Sequence, residues 1–393
     1  MLGILLRFRE GQFALAADIK RMYHSVHLSS MDSHTHRFLW RDLDTRRSPD
    51  IYAMTRVSFG DKPAGTIATV VLRKTALEHR DEYPKAASTI TKNSYIDDIL
   101  DSFDLAKELV ETAGAIDHIL ATGGFSIKAW LASSNVQEQL RNTDTNSPIL
   151  MLNFPDESKI LGMYWDHRED CFKFKAKLNF SPKHRKVNTG PDMSQDQLKD
   201  LEYIQLTKRS VLSQISGIYD PLGLLTPFTA AAKIMMQQLW KNEAKDLDWD
   251  DPLPKEISEN WLKFFNAMFQ VEKLSFRRCV KPDKVIDLPM LILFSDASEE
   301  AYGTCAYVRW KHEDGNVTTN LIAAKGKVAP IKITSLPRLE LCAALLSKRL
   351  YVFIDKECRF TFSTVMFVVD SSIVQAMIQK ESYGFKTFVS VRI

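Results

Sequence analysis

The sequence predicts an α+β chain in which two strand-and-helix segments flank a helical middle region. Short apolar runs end in a carboxylate at Asp18, Asp296 and Asp370, as buried strands do when they deliver a polar group at a sheet edge. Apolar residues at helical spacing follow the start signals Pro63, Asp104 and Pro337. Residues 198–269 carry mostly helical patterns, so the two segments are separated by helices.

Taken in order, residues 13–17 form a buried strand running into Asp18, and residues 37–43 and 51–57 form a hairpin about Ser48-Pro49-Asp50. Pro63 opens a helix toward Glu82, and residues 95–100 make a strand turn containing Asp97 and Asp98. A helix capped by Asp104 places Leu105, Leu109, Ile116 and Leu120 on one side and stops at Gly123-Gly124. Residues 171–190 hold six Lys or Arg and no acid, and strict alternation over residues 172–178 puts Lys173, Lys175 and Lys177 on one face of a strand. A solvated edge protected by lysines is one reading of that face. A polar loop follows at residues 188–197. Helical patterns then run from Leu198 to about Trp240, broken at Asp220-Pro221-Leu222-Gly223, and again over residues 256–269. From Leu288 the order is strand (290–294), strand (301–310), strand (317–324), helix (337–351) and strand (365–369), with a turn at Asp314-Gly315.

At 393 residues, 45% apolar and 26% charged, the chain suffices for two or three cores. A net charge of +3 leaves any nucleic-acid footprint to local patches. Five scattered cysteines without a C-x-x-C pair give no sign of a zinc site or a disulfide framework, and fit a reducing intracellular setting. No apolar run approaches the ~18 residues of a bilayer span, so no membrane partner is expected.

Asp97 and Asp98 side by side at an apolar strand end repel each other unless a multivalent cation neutralises them. With Asp18 they supply three acids, enough to hold a pair of Mg²⁺ ions; a polar turn is the alternative for the Asp-Asp pair alone. The ordered strings Ala17-Asp18-Ile19 with Tyr23, Phe59-Gly60 with Pro63-Ala64, and Tyr95-Ile96-Asp97-Asp98 resemble reverse transcriptase motifs A, B and C. Gly124-Phe125 with Lys128, and Leu161-Gly162-Met163, resemble motifs D and E. Together with Trp40-Arg41 and Tyr219-Asp220-Pro221-Leu222-Gly223-Leu224, the wording is most similar to the BEL/Pao class of long-terminal-repeat retrotransposons.

That resemblance implies a reverse transcriptase palm over residues 1–165, a thumb or connection over 166–287, and a ribonuclease H-like domain over 288–393 that stops short. It implies an RNA-directed DNA polymerase with two Mg²⁺ ions per site. Asp18 and Asp97 would bind both ions, with Asp98 nearby and the Ile19 carbonyl as a further ligand. Tyr23 would lie under the incoming sugar and exclude a 2′-hydroxyl, Phe59 and Gly60 would line the nucleotide and template side, and Lys128 would protonate pyrophosphate. Core packing for Tyr23 and solvation for Lys128 are the plainer alternatives. Leu161 and Gly162, through Trp165, would grip the primer end, and Lys173, Lys175 and Lys177 would neutralise template-primer phosphates. Implied partners are an RNA or DNA template-primer, an RNA/DNA hybrid and deoxynucleoside triphosphates, in a cytoplasmic retroelement particle with access to the nucleus. Fingers upstream of Asp18 are expected to be absent, and Asp61-Lys62 between Gly60 and Pro63 departs from motif B, placing an acid beside the triphosphate.

Asp296, Glu340 and Asp370 match the acid series of a ribonuclease H fold, where clustered carboxylates hold two metals that align water against an RNA phosphodiester. A fourth acid, usual in that fold, is expected beyond Ile393. Two further classes stand beside this reading. The Pao region carries a peptidase label, but an aspartic dyad needs Asp-Thr-Gly or Asp-Ser-Gly loops and neither triplet occurs. A non-catalytic nucleic-acid-binding remnant of a retroelement is the other.

Overall fold

The computed structural model describes residues 1–133, 136, 157–181, 183–184, 187–188, 190–199, 205–241 and 244–393. The chain forms two compact units, one of residues 1, 3–156 and 167–169, the other of residues 2, 157–166 and 170–393.

In the first unit, helix α1 (Leu2–Phe8) leads into strand β1 (Phe13–Ile19), whose near-continuous apolar sequence is buried on both faces. A hairpin of β2 (Arg37–Trp40) and β3 (Asp50–Ala53) forms where the turn residues place it, with shorter strands than the sequence suggests. Helix α2 (Ala64–Glu78) starts at Pro63, but a separate helix α3 (Pro84–Lys92) follows that the periodicity of residues 63–82 does not reveal. Its signal is Pro84 in the first turn, where the missing N–H costs nothing. Strands β4 (Ser94–Tyr95) and β5 (Asp98–Phe103) then precede helix α4 (Ala106–Thr122) and strand β6 (Ile127–Ala132). The N-cap of α4 is Leu105, without a side-chain cap bond, one residue past the expected Asp104. The sheet order is β4-β5-β1-β6, all antiparallel. Leu15, Ala17 and Ile19 pack with Leu72, Ile90, Leu109, Ile116 and Trp130 in one core. Burying each such large side chain contributes about 1.5–3 kcal/mol, and it fixes β1 in the middle of the sheet.

The second unit opens with β7 (Glu157–Ile160), β8 (Met163–Asp166) and β9 (Cys171–Lys173), joined by the distant β10 (Ser275–Arg277) in the order β10-β9-β8-β7. The lysine strand is therefore much shorter than its alternation predicts. Burial still alternates, with Phe172, Phe174 and Leu178 buried, but the backbone leaves the ladder: the amide of Ala176 donates to the Glu272 carboxylate at 2.8 Å, and the Leu178 carbonyl accepts from Met193 at 2.7 Å. Helices α5 (Lys208–Ile215), α6 (Thr226–Gln238) and α7 (Lys255–Val271) enclose Val211, Met236, Trp261, Phe265 and Met268. Strands β11 (Met290–Ala297), β12 (Ala301–Lys311) and β13 (Val317–Val328) form an antiparallel meander, and after helix α8 (Leu336–Glu357) strand β14 (Thr364–Val368) pairs parallel to β11. A short helix, α9 (Ser372–Ile378), follows that carries no clear signal in the sequence. No described helix is long and apolar enough to cross a membrane.

The break at Asp220–Gly223 joins the helices to this sheet. Asp220 accepts from the amides of Leu224 and Leu225 at 2.9 and 2.7 Å, and the Leu222 carbonyl accepts from Ala324 of β13 at 2.8 Å. Gly223 sits at φ +78°, and a Cβ there would overlap the Ala324 carbonyl. Gly223→Ala is therefore expected to destabilise the second unit by about 2–5 kcal/mol, from left-handed strain plus overpacking. Urea unfolding followed by tryptophan fluorescence measures this; a loss below about 1 kcal/mol would mean that the loop moves aside freely.

Candidate active sites

Both carboxylate groups are built on strand ends. In the first unit, β1 and β5 are antiparallel with Asp18 opposite Asp98, so the register itself places these acids side by side. Tyr95 opposes Asp98 across β4–β5, leaving Ile96 and Asp97 as a two-residue turn. Ile96 adopts φ +56°, an unusual conformation for a β-branched residue. The Asp97 carbonyl accepts from the Ile19 amide at 2.7 Å, which ties the strained turn to the end of β1. Burial pushes the Asp18 carboxyl above its ordinary range; the Lys128 ammonium opposes that rise, and the Asp97 charge adds to it. Lys128 lies on strand β6, with Nζ 3.9 Å from Asp18 Oδ2 and both side chains about half exposed.

Tyr23 is half-buried against the core and meets Phe59 edge-on, with ring centroids 5.0 Å apart. Phe59 is 67% exposed, and Gly60 has φ +94°. Two neighbours of this cluster carried no sequence signal. His24 packs its ring edge-on to Phe59 at 5.1 Å, and His36 lies 3.5 Å from the Asp61 carboxylate, the residue that departs from motif B. A protonated His36 offsets the charge that Asp61 would present to a phosphate.

In the second unit, Leu161 and Gly162 form the two-residue turn between β7 and β8, both with positive φ, and the Tyr219 ring lies against Gly162. Lys173, Lys175 and Lys177 line one small cavity with Tyr164 and Tyr219. They are not equivalent. Lys173 Nζ is 2.6 Å from the buried Asp166 carboxylate, whereas Lys175 and Lys177 lie 4.8 and 5.6 Å from the Tyr164 ring centroid. The Tyr164 hydroxyl accepts from Lys177 and holds its ammonium pKa above the ordinary value.

Asp296 and Asp370 lie two residues beyond the last pair of the parallel strands, Phe294 and Val368, and both line a cavity of ≈ 500 Å³ with Phe294, Tyr307 and Gly223. Glu340 does not line that cavity. Leu291, Leu293 and Ser295 alternate onto the buried face of β11, which helix α8 packs against, while Phe294 and Asp296 take the other face. Glu340 rides on α8, between buried Leu339 and Leu341. The three acids expected together are thus two at the sheet edge and one on the covering helix. Among the described residues, no group of three or more His, Cys, Asp and Glu side chains is drawn tightly enough to form a ready metal-binding cluster. The donor chemistry around Asp18 nevertheless fits a hard divalent cation, because like charges face each other there and burial penalises the free carboxylate.

Residues 207–371 match the Pao retrotransposon-like RNaseH-like domain family. A comparison with curated proteins finds no match. Among solved structures, the chain is similar to a foamy viral protease-reverse transcriptase in complex with RNA/DNA hybrid, at TM-score 0.50 and 14% identity over 99% of this chain and 43% of that one. It is also similar to a foamy viral protease-reverse transcriptase dRH in complex with ds DNA, at TM-score 0.52 and 13% identity over 100% of this chain and 55% of that one. These likenesses show a mixed helix-and-sheet fold similar to that of those proteins, and the chain spans about half the length of those neighbours.

Proposed function

We propose that this chain, part of a BEL/Pao-class retroelement Pol protein, carries the nucleotidyl-transfer centre of an RNA-directed DNA polymerase and is linked to a ribonuclease H-like centre. One observation supports the reading above others: Asp18 and Asp98 share a register on adjacent strands, and the turn carrying Asp97 is hydrogen-bonded to Ile19. Asp18 and Asp97, with Asp98 alongside, would hold two Mg²⁺ ions, which supply activation of the primer hydroxyl and stabilisation of the leaving pyrophosphate. Lys128 sits where its ammonium balances Asp18 and can deliver a proton to a departing phosphate. Tyr23, packed against the core and edge-on to Phe59, would restrict the sugar of the incoming nucleotide. Asp296 and Asp370, facing one cavity, would hold the cation that positions water against RNA in a hybrid; Glu340, on α8, lies outside that cavity.

The reading is tested by extension of a DNA primer on an RNA template in Mg²⁺, with deoxynucleotides and ribonucleotides offered separately. Tyr23→Ala is expected to admit ribonucleotides; unchanged discrimination would make Tyr23 a packing residue. Failure to extend a primer that is nonetheless bound would favour the second reading, a non-catalytic nucleic-acid-binding module.

The lysines give a separate expectation. Changing Lys175 and Lys177 together to Gln should flatten the logarithmic salt dependence of hybrid binding by about 2, since each phosphate contact contributes about 0.9 to the slope. Lys173→Gln should leave the slope nearly unchanged, because its ammonium already neutralises Asp166. Equal effects from all three would show that the Lys173–Asp166 pair opens on binding.

A further inference from the structure

The β2–β3 hairpin carries more apolar surface than a soluble ribbon needs. Its register pairs Phe38 with Tyr52 and Trp40 with Asp50, and the period of two places Phe38, Trp40 and Tyr52 on one face. The three rings are 43%, 48% and 44% exposed, and Phe38 and Tyr52 stack at 5.7 Å with an interplanar angle of 22°. Nothing in the local fold requires aromatic side chains there, since a two-stranded ribbon gains little from rings left in water.

The surrounding charge points to one kind of occupant. Arg47 bonds to Asp42 and Asp50 at 3.0 and 2.6 Å, Arg46 bonds to Asp44 at 3.2 Å, and the Trp40 indole donates to Asp42 at 2.6 Å. The three acids of the hairpin are thereby engaged, while Arg37 bonds to the His34 ring and Arg41 forms no ion pair among the described residues. The ribbon therefore combines a row of exposed rings with surplus guanidinium charge at its edge.

We infer that this face is a stacking platform for the unpaired bases of single-stranded RNA or DNA. The rings take successive bases, which any sequence can supply because every base has a π-face, and Arg41, next to Trp40 at the end of β2, meets the phosphate backbone, whereas Arg37 alternates onto the other face. The site lies outside the carboxylate centre and needs no metal, so it stands or falls independently of the polymerase chemistry.

The test is fluorescence anisotropy of the intact chain with labelled oligothymidylate and oligouridylate in EDTA at low salt, beside a duplex of equal length. Phe38→Ala with Tyr52→Ala is expected to weaken single-strand binding about tenfold or more and to leave duplex binding unchanged. Phe38→Tyr with Tyr52→Phe keeps both rings and should restore it, which separates loss of stacking from loss of folding. Single-strand affinity unchanged in the alanine variant would overturn the inference. So would sedimentation showing that the parent chain self-associates through this face and the alanine variant does not, since the platform would then belong to a second copy.

Discussion

Asp97→Asn is expected to abolish primer extension, reducing the rate by orders of magnitude while leaving template-primer affinity near its original value. The exchange keeps the side-chain shape and removes one negative charge from a pair whose function, in the proposed mechanism, is to hold cations. Asp97 sits in the strained Ile96 turn, fixed to β1 through the Ile19 amide, so its backbone position does not depend on its charge. A second measurement needs no catalysis. Mn²⁺ binding, followed by water-proton relaxation, should weaken in Asp97→Asn and in Asp18→Asn, and Lys128→Met should leave it intact or strengthen it by removing a competing cation 3.9 Å from Asp18. Metal binding indifferent to Asp18 and Asp97 would refute the assignment, whatever the activity.

The largest stability effect is expected at the opposite end of the burial scale. Arg278 has no exposed surface, and its guanidinium meets Asp170 through two bonds, Nε to Oδ1 at 2.6 Å and Nη2 to Oδ2 at 2.7 Å. The Trp165 indole donates to the same Oδ1 at 3.0 Å, and the Arg278 amide donates to the Asp170 carbonyl at 3.0 Å. This pair pins the distant strand β10 against β8 and β9. Asp170→Ala should cost about 3–5 kcal/mol, because it strips the carboxylate from a guanidinium that stays buried. Replacing both partners with apolar residues of similar volume should recover much of that loss, since the desolvation of both charges is then avoided. The exposed Arg209–Asp250 pair is the control: its removal should leave the urea midpoint unchanged. A small effect at Asp170 would mean that water reaches Arg278 in the native state.

What the sequence determined by itself is whatever local periodicity encodes. Apolar runs leading to Asp18, Asp296 and Asp370 become strands, but only β1 is buried on both faces; β11 buries alternate residues, and β14 stays largely exposed. The helices over 106–122 and 255–271 follow from one-sided apolar spacing, and the breaks at Gly123 and Asp220–Gly223 follow from backbone preference. Even beyond the end of β9, where the strand expectation fails, the burial of Phe174 and Leu178 keeps the predicted alternation. Only the tertiary structure decided which charge meets which. Lys173 is neutralised by Asp166 while Lys175 and Lys177 rest on Tyr164, although all three read alike in the sequence. Lys128 reaches Asp18 across 110 residues of chain, Glu340 is set on a helix away from the cavity of Asp296 and Asp370, and β10 joins a sheet about 100 residues upstream. The physical reason is that periodicity reports the side of an element that turns from water, whereas ion pairing depends on register and on angles between elements distant in the chain.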